Sequence, residues 1–173
     1  MTSSVILTVV GSDRPGLTQA LADAVLAAGG NWLESHLARL GGKYVGSVLV
    51  ELPEDRLADL EAHTKAIDAT GLRVALVGAD TAAAEAGVPL ALELVGQDRP
   101  GIVREVTTVL AGLRVNIDEF ETRRETGSWS GEQLFRATAA LRLPDDLSQD
   151  AVQDALERIS GEIMVDFSVS PAT

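Results

Sequence analysis

The 173-residue chain contains the frame Gly-x-Asp-Arg-Pro-Gly twice, at 11–16 and at 96–101. The residues before the frame also match, because Val9-Val10 aligns with Leu94-Val95 at the same offset of 85. A shared frame inside one chain, flanked by matching apolar residues, indicates an internal duplication. We call the two copies repeat 1 and repeat 2.

The repeats differ in length by six residues. Asn31 and Asn116 keep the offset of 85, but Leu52-Pro53 matches Leu143-Pro144 at an offset of 91. Repeat 2 therefore holds six additional residues between these anchors. We expect them in the polar, glycine-containing stretch 125–133. Trp129 in this stretch could either contact a partner or pack back onto its own domain.

Hydrophobic periodicity predicts the element order β-α-β-β-α-β in each repeat. Repeat 1 is predicted to form these elements at Val5–Val10, Pro15–Ala28, Trp32–Leu40, Tyr44–Leu52, Asp55–Thr70 and Leu72–Val77. Repeat 2 is predicted to form them at Leu90–Val95, Pro100–Leu110, Asn116–Arg124, Leu134–Leu143, Ser148–Ser160 and Ile163–Val169, with Ser148 as an N-cap.

This order predicts the α+β class, with two ferredoxin-like domains. Each would have an antiparallel four-stranded sheet with its helices on one face. We expect domains at 1–78 and 89–170, joined by a linker at 79–88 that is rich in small residues. Exposed sheet edges need cover, so we expect some pairing of these sheets.

Charge and composition exclude several classes of partner. The chain has 26 acidic and 14 basic residues, a net charge of -12, and 46% hydrophobic residues. A globular protein this acidic lacks the positive surface potential that is needed to bind nucleic acids or anionic membranes. The apolar run Val5–Val10 is too short for a signal peptide or a membrane span, and cysteine is absent. We therefore expect a cytoplasmic protein that does not bind nucleic acid or membranes.

Catalytic and cofactor motifs are not apparent. The glycines of 11–16 and 96–101 have phosphate-loop spacing, but Leu17-Thr18 and Ile102-Val103 stand where Lys-Ser/Thr would be needed. No dinucleotide fingerprint follows a first strand. The two histidines, His36 and His63, do not have metal-ligand spacing. We expect no catalytic residues, no metal and no cofactor, so the chain is interpreted as a non-enzyme.

Taken together, the twin β-α-β-β-α-β units, the Asp-Arg-Pro-Gly turn and the asparagine at each second strand resemble the ACT domain family. The resemblance covers nearly the whole chain. The tandem pair without a catalytic domain is similar to the glycine cleavage system transcriptional repressor group. The resemblance implies a regulator that binds an amino acid, forms a homodimer and acts through a protein partner such as a DNA-binding regulator. It also implies that four-stranded sheets join side by side into one sheet of eight strands. It also suggests glycine or a serine-like small amino acid as the ligand.

The resemblance also implies the ligand-binding residues. The ligand loop of the family maps onto Asp13, Arg14, Pro15, Gly16 and Leu17, and onto Asp98, Arg99, Pro100, Gly101 and Ile102. Its second-strand contact maps onto Asn31 and Trp32, and onto Asn116 and Ile117.

Physical chemistry supports this site and offers an alternative. Free amides at a helix N-terminus suit a carboxylate, and Asp13 or Asp98 could meet an ammonium group. Alternatively, the turn needs proline to fix φ and glycine to relieve crowding, while the aspartate only caps the helix. Trp32 could line or fill its pocket, so repeat 2 is the favoured sensor. A ligand-independent interaction module, or less plausibly a small enzyme, remains the alternative function.

Overall fold

The computed structural model describes residues 1–68, 71–80, 86–127, 131–159 and 163–168. The chain divides into two compact units, Met1–Ala83 and Ala84–Thr173, which contain repeat 1 and repeat 2. We call them unit 1 and unit 2 and describe each by itself. Among the described residues, no helix is long and apolar enough to cross a membrane.

Unit 1 is an antiparallel sheet with two helices. Its elements are β1 (Thr2–Ser12), α1 (Leu17–Ala27), β2 (Asn31–Leu40), β3 (Lys43–Pro53), α2 (Leu57–Asp68) and β4 (Leu72–Gly78), with a 3₁₀ turn at Glu54–Arg56 before α2. The strand order is β2-β3-β1-β4. The two central strands, β1 and β3, pair along their whole length, and β1 also pairs with β4.

Unit 2 repeats this arrangement. Its elements are β5 (Val88–Gln97), α3 (Ile102–Gly112), β6 (Asn116–Thr126), β7 (Gln133–Leu143), α4 (Gln149–Glu157) and β8 (Met164–Ser168). The strand order β6-β7-β5-β8 is that of unit 1. The predicted α+β class with two ferredoxin-like domains is therefore confirmed. The predicted ends at Ser160 and Val169 lie outside the described residues.

An aliphatic core lies between each sheet and its helices. Alternate residues of β1 face the helices, and Val5, Leu7 and Val9 are all buried. On α1, Leu17, Leu21 and Val25 follow helical spacing and are also buried. Unit 2 is built in the same way, with Leu92 and Leu94 of β5 buried. The two periodicities thus fix which face of each element is covered.

The six additional residues of repeat 2 lengthen one hairpin. In unit 1, Gly41-Gly42 alone connect the paired residues Leu40 and Lys43. In unit 2, β6 continues to Thr126 and the Gly127 amide donates to the Glu132 carbonyl at 2.8 Å. The insertion is therefore where the sequence placed it, within 125–133. Trp129 itself lies outside the described residues.

The residues that follow the C-terminal ends of α1 and α3 differ in one way that affects the stability of the fold. Gly29 leaves α1 with φ 72, and at the equivalent position after α3 stands Arg114, with φ 60. Both amides donate to the carbonyl three residues earlier, at 2.9 and 3.0 Å. Arg114 is the only non-glycine residue with positive φ in the described part of the chain. The left-handed conformation costs an ordinary L residue about 1–2 kcal/mol.

We therefore expect Arg114→Gly to stabilise unit 2 by about 0.5–1 kcal/mol, since the relieved strain exceeds the greater freedom of an unfolded glycine. Urea unfolding measures this change. The substitution also removes an exposed ion pair, Arg114–Asp146 at 2.8 Å, so Asp146→Asn serves as the control for that loss. A destabilisation larger than that of Asp146→Asn would contradict the strain argument.

Candidate functional site

The two Asp-Arg-Pro-Gly loops connect β1 to α1 and β5 to α3. Gly16 and Gly101 are the N-cap residues, with φ values of 90 and 91. The helices consequently begin at Leu17 and Ile102, two residues after the predicted starts at Pro15 and Pro100. The prolines lie in the turn because a helical backbone cannot continue through a left-handed residue.

The glycines are needed for backbone conformation rather than for space. A Cβ atom built on Gly16 would meet nothing within 4 Å, and one on Gly101 would meet only Glu105 Oε1, at 3.9 Å. The expectation that glycine relieves crowding in the turn is therefore wrong. A positive φ near 90° is readily adopted by glycine alone, which explains why both loops carry it.

The first turns of α1 and α3 keep open amides. Neither helix has a side-chain cap, so the proposal that Asp13 only caps its helix is not what the structure shows. Within the described residues, the amides of Val103 and Arg104 have no hydrogen-bond acceptor. By contrast, Ser148 Oγ accepts from the Ala151 amide of α4 at 3.2 Å, as predicted. Open amides at a helix N-terminus favour an anionic group.

Each loop aspartate pairs with an arginine near the end of the second strand of its unit. Asp13 lies 3.3 Å from Arg39 Nε, and Asp98 lies 2.7 Å from Arg124 Nε. Arg39 and Arg124 are themselves related by the offset of 85. These two arginines were not among the predicted site residues, although extending the repeat alignment along the second strand would have revealed them.

A groove of about 710 Å³ lies beside the loop of unit 2. It is bounded by the loop, by the first turns of α3 and by the last part of β6. The lining residues are Asp98, Arg99, Gly101, Ile102, Val103, Arg104, Thr107, Thr122, Arg123, Arg124 and Phe135. Four of the predicted ligand residues, Asp98, Arg99, Gly101 and Ile102, are therefore brought together here, while Pro100 is exposed in the same turn.

The loop arginines of the two units have different surroundings. Arg99 binds Glu105 through two hydrogen bonds, of 2.8 and 2.5 Å. The hydrogen bond from Arg99 lowers the pKa of the Glu105 carboxyl, so this side chain remains charged. Unit 1 has Ala20 at the equivalent position, and Arg14 is exposed and makes no ion pair with any described residue.

The walls next to the loops also differ in polarity. In unit 1, the Thr18 and Tyr44 hydroxyl groups lie 2.6 Å apart. The equivalent residues of unit 2 are Val103 and the buried Phe135, both of which line the groove. The duplicated loop is thus combined with a polar wall in unit 1 and an apolar wall in unit 2.

The asparagines do not meet the loops of their own units. Asn116 pairs with Arg142, which pairs with Pro89 at the beginning of β5, whereas the loop follows Gln97 at its end. Eight residues of extended strand separate these levels by roughly 26 Å. Asn31, level with Ser4, is displaced from its loop in the same way. The structure therefore splits each predicted set of ligand residues between two ends of a sheet.

The predicted ligand residues on the second strands also make local contacts. Trp32 packs against the core of unit 1, and with Asn31 it lines a cavity of about 370 Å³ beside α1. Ile117 packs against the core of unit 2. Asn116 Nδ2 donates to Asp118 Oδ1 at 2.6 Å, and Arg142 Nε donates to the other oxygen of Asp118 at 3.0 Å. Asn116 accordingly offers its amide oxygen, an acceptor, to a ligand.

Metal-ligating groups do not cluster in the described part of the chain. No set of three or more His, Asp or Glu side chains is placed to hold a metal ion there. His36 instead pairs with its neighbour Glu34, at 3.0 Å, on an exposed strand. The chemistry available at the loops is therefore that of amides, carboxylates and guanidinium groups.

In each unit, an antiparallel four-stranded sheet covered by two helices in the order β-α-β-β-α-β defines the ferredoxin-like class of α+β domains. The ACT domain family matches residues 3–70 and, separately, residues 91–161. The chain belongs to the ACT domain family and carries two ACT domains in tandem. ACT domains are regulatory domains that bind small ligands, typically amino acids.

The crystal structures that resemble the whole chain include the following two. An unknown protein from Galdieria sulphuraria is 28% identical, with a TM-score of 0.80 over 99% of this chain and 100% of that one. A protein provisionally assigned as a glycine cleavage system transcriptional repressor is 16% identical, with a TM-score of 0.73 over 98% and 99%. This second similarity establishes the shared fold. No curated protein matches the sequence.

Proposed function

We propose that this protein is a non-enzymatic regulator that binds a free amino acid at the Asp-Arg-Pro-Gly loop. The observation that carries the proposal is the groove of unit 2, where open amides, a carboxylate and guanidinium groups line one space. Groups of both signs complement a zwitterionic amino acid, in which the carboxylate and the ammonium group are bonded to the same α-carbon. The tandem ACT architecture supports the regulatory role.

The amides at the start of α3 supply the carboxylate contact. The Val103 and Arg104 amides point into the turn that Gly101 opens, at the positive end of the helix dipole. Each charge-assisted hydrogen bond contributes about 1.5–3 kcal/mol, so three or four of them reach micromolar affinity. Glycine and serine need only such contacts and are the first ligands to test.

The Asp98 carboxylate supplies the ammonium contact. Its side chain is 23% exposed and is held by Arg124, so its position is fixed before a ligand arrives. A carboxylate accepts several hydrogen bonds, and pairing with one arginine leaves lone pairs available. Fixing the site in advance reduces the ordering cost of binding.

We further propose that the signal passes through protein contacts rather than through DNA. The net charge of -12 opposes direct binding to a phosphate backbone. Such a regulator would act on a DNA-binding partner, as a homodimer in the cytoplasm. The resemblance in fold to the provisionally assigned transcriptional repressor supports this proposed role in transcription regulation.

Isothermal titration of the full chain with the common amino acids tests the proposal. We expect binding by the unaltered protein and an affinity at least tenfold lower for Asp98→Asn, because the neutral amide loses a charge-assisted bond of about 1.5–3 kcal/mol. Circular dichroism verifies that the variant is folded.

Asp13→Asn is the matched control, since it makes the same change in the loop of unit 1. Comparing the two variants assigns the binding to one unit or to both. Absence of heat with every amino acid, in a folded sample, would overturn the sensor role and favour a ligand-independent interaction module.

A further inference from the structure

We propose that the groove of unit 2 selects amino acids with an apolar side chain, and that Val103 and Phe135 receive this side chain. The inference rests on the proposed amino-acid-binding function and names the ligand class of one of the two units. It depends on which face of the sheet each lining residue occupies and on how the charged groups of the groove are paired.

Val103 and Phe135 lie on the same side of the sheet. Phe135 is one of the alternate residues of β7 that face the helices, and it packs in the core of unit 2. Val103 lies in the first turn of α3, is 40% exposed and lines the groove together with Phe135. The equivalent residues of unit 1, Thr18 and Tyr44, touch through hydroxyl groups that are 2.6 Å apart. These two positions are therefore neighbours in the fold.

Strand register places Phe135 level with the loop. It pairs with Gly96 of β5, two residues before Asp98, and with Arg124 of β6. Arg124 in turn lies 2.7 Å from the Asp98 carboxylate, which is proposed to bind the ammonium group. The side chain of an amino acid held at the loop consequently lies within reach of Val103 and Phe135.

The charged residues between α3 and β6 interact with partners of opposite charge. Arg124 pairs with Asp98, and Arg99 binds Glu105. The hydrogen bond from Arg99 is the main cause of the lowered pKa of the Glu105 carboxyl, and the charge of Arg104 adds to this effect. Arg104 also lines a second cavity together with Glu105. These contacts direct the charged groups toward one another rather than toward the side chain of a ligand.

Arg123 has its side chain on the opposite face of the sheet. It pairs with Arg136 of β7, and both side chains donate to Glu125, at 2.5 and 3.0 Å. Phe135 and Ala137, which flank Arg136 in the sequence, are buried beneath the helices, so the Arg136 side chain points away from α3. The charge of Arg123 is therefore not directed to the helix side of the groove.

The groove has room for a side chain and favours an apolar one. Its volume of about 710 Å³ lies in the range of small-molecule sites and exceeds what glycine would fill. Thr107, one turn after Val103, also lines it, and the Thr107 hydroxyl donates to the Val103 carbonyl at 2.9 Å. Each methylene group removed from water favours binding by about fourfold, whereas a polar group that loses water without a new partner weakens it.

Comparison with unit 1 shows that both positions change together. Thr18 and Tyr44 supply two hydroxyl groups that bind each other, while Val103 and Phe135 have none. Changing only one of the two residues would leave a hydroxyl without its partner, which costs free energy. Because both are changed, the wall of unit 2 is apolar on the helix and on the strand, and we expect unit 1 to lack its preference.

Calorimetric titration of the full chain with ligands of matched shape tests this inference. The probes are L-valine with L-threonine, and L-leucine with L-asparagine, together with glycine and serine. We expect each apolar amino acid to bind about tenfold more tightly than its polar counterpart, because a hydroxyl or amide would be buried without a partner. The ratio should not change with salt, since the paired ligands carry the same net charge.

Two variants of the same kind locate the preference. Val103→Thr introduces the residue of unit 1 at an exposed position, and we expect the valine-to-threonine ratio to fall to within about twofold. Val88→Thr makes the same change at the end of β5 that is far from the loop, where the side chain is 54% exposed. It should leave the ratio unchanged. Retention of the full ratio in Val103→Thr would overturn the role of Val103.

Phe135→Tyr tests the strand side of the wall. It introduces the tyrosine of unit 1, and in combination with Val103→Thr it should abolish the preference for valine. Phe135 is buried, so circular dichroism first verifies that the double variant is folded. If it is not, the result for Val103→Thr alone decides the inference. A folded double variant that still prefers valine would show that these two residues do not receive the side chain.

The two proposals fail in different ways. Equal affinities for valine and threonine, or binding of glycine and serine alone, would overturn this inference and leave the proposed function intact. Absence of binding by all six probes and by the other common amino acids would overturn both.

Discussion

Replacing Gly46 with alanine is expected to destabilise unit 1 by about 3–5 kcal/mol. Gly46 lies within β3 at φ 149, and a Cβ atom there would come within 1.9 Å of the His36 carbonyl oxygen on β2. Backbone strain costs about 1–3 kcal/mol and the steric displacement a similar amount. Small domains are stable by only about 5–15 kcal/mol, so this loss removes much of the total.

Urea unfolding followed by the fluorescence of Trp32 measures the effect. The chain has two tryptophans, so a Trp129→Phe background makes Trp32, half-buried in unit 1, the single reporter. Gly42→Ala is the control, because Gly42 has φ 77 but open space around a Cβ atom. It should cost about 1–2 kcal/mol. Equal losses for the two variants would show that β2 moves aside readily.

Unit 2 shows that the fold itself does not require a glycine here. The position equivalent to Gly46 is Ala137, which is fully buried and has an ordinary φ. The requirement in unit 1 thus comes from the close approach of β2 and β3 around His36, not from the topology that the two units share.

A second large effect is expected on α1, where Leu21→Ala should cost about 2–5 kcal/mol. Leu21 is completely buried among the residues of the unit 1 core, so its truncation leaves a cavity as well as losing apolar contact. The same fluorescence-detected unfolding measures this loss.

Leu26→Ala is the matched control, since it makes the same substitution on the same helix. Leu26 is 74% exposed, and its truncation should change the stability by less than about 0.5 kcal/mol. A comparable loss for both variants would mean that Leu26 is covered in solution, for example by a second chain.

The fold could be predicted largely because its signals are local. Strand alternation and helical spacing fix the covered face of each element, and Ser148 and the 125–133 insertion depend on short stretches of chain. The helix starts were misplaced because proline favours a first helical turn, whereas the left-handed φ of the following glycine sets the boundary.

The site was less predictable because it depends on contacts between distant segments. The Asp98 loop and Arg124 are 26 positions apart in the chain, and only strand pairing brings them to 2.7 Å. In the same way, single-residue patterns could not show that Glu105 engages Arg99, or that Asn116 lies at the far end of the sheet. The Asp98–Arg124 contact and the position of Asn116 follow from strand register, which the sequence does not state directly.

The separation of roughly 26 Å between loop and asparagine sets a condition on any molecule that uses both. One amino acid spans about 3.5 Å of backbone, so within one unit a single ligand can touch either the loop or the asparagine, but not both. A ligand of the loop is therefore held only by groups of the loop, the first helical turn and the end of the second strand, and its affinity depends on those few contacts.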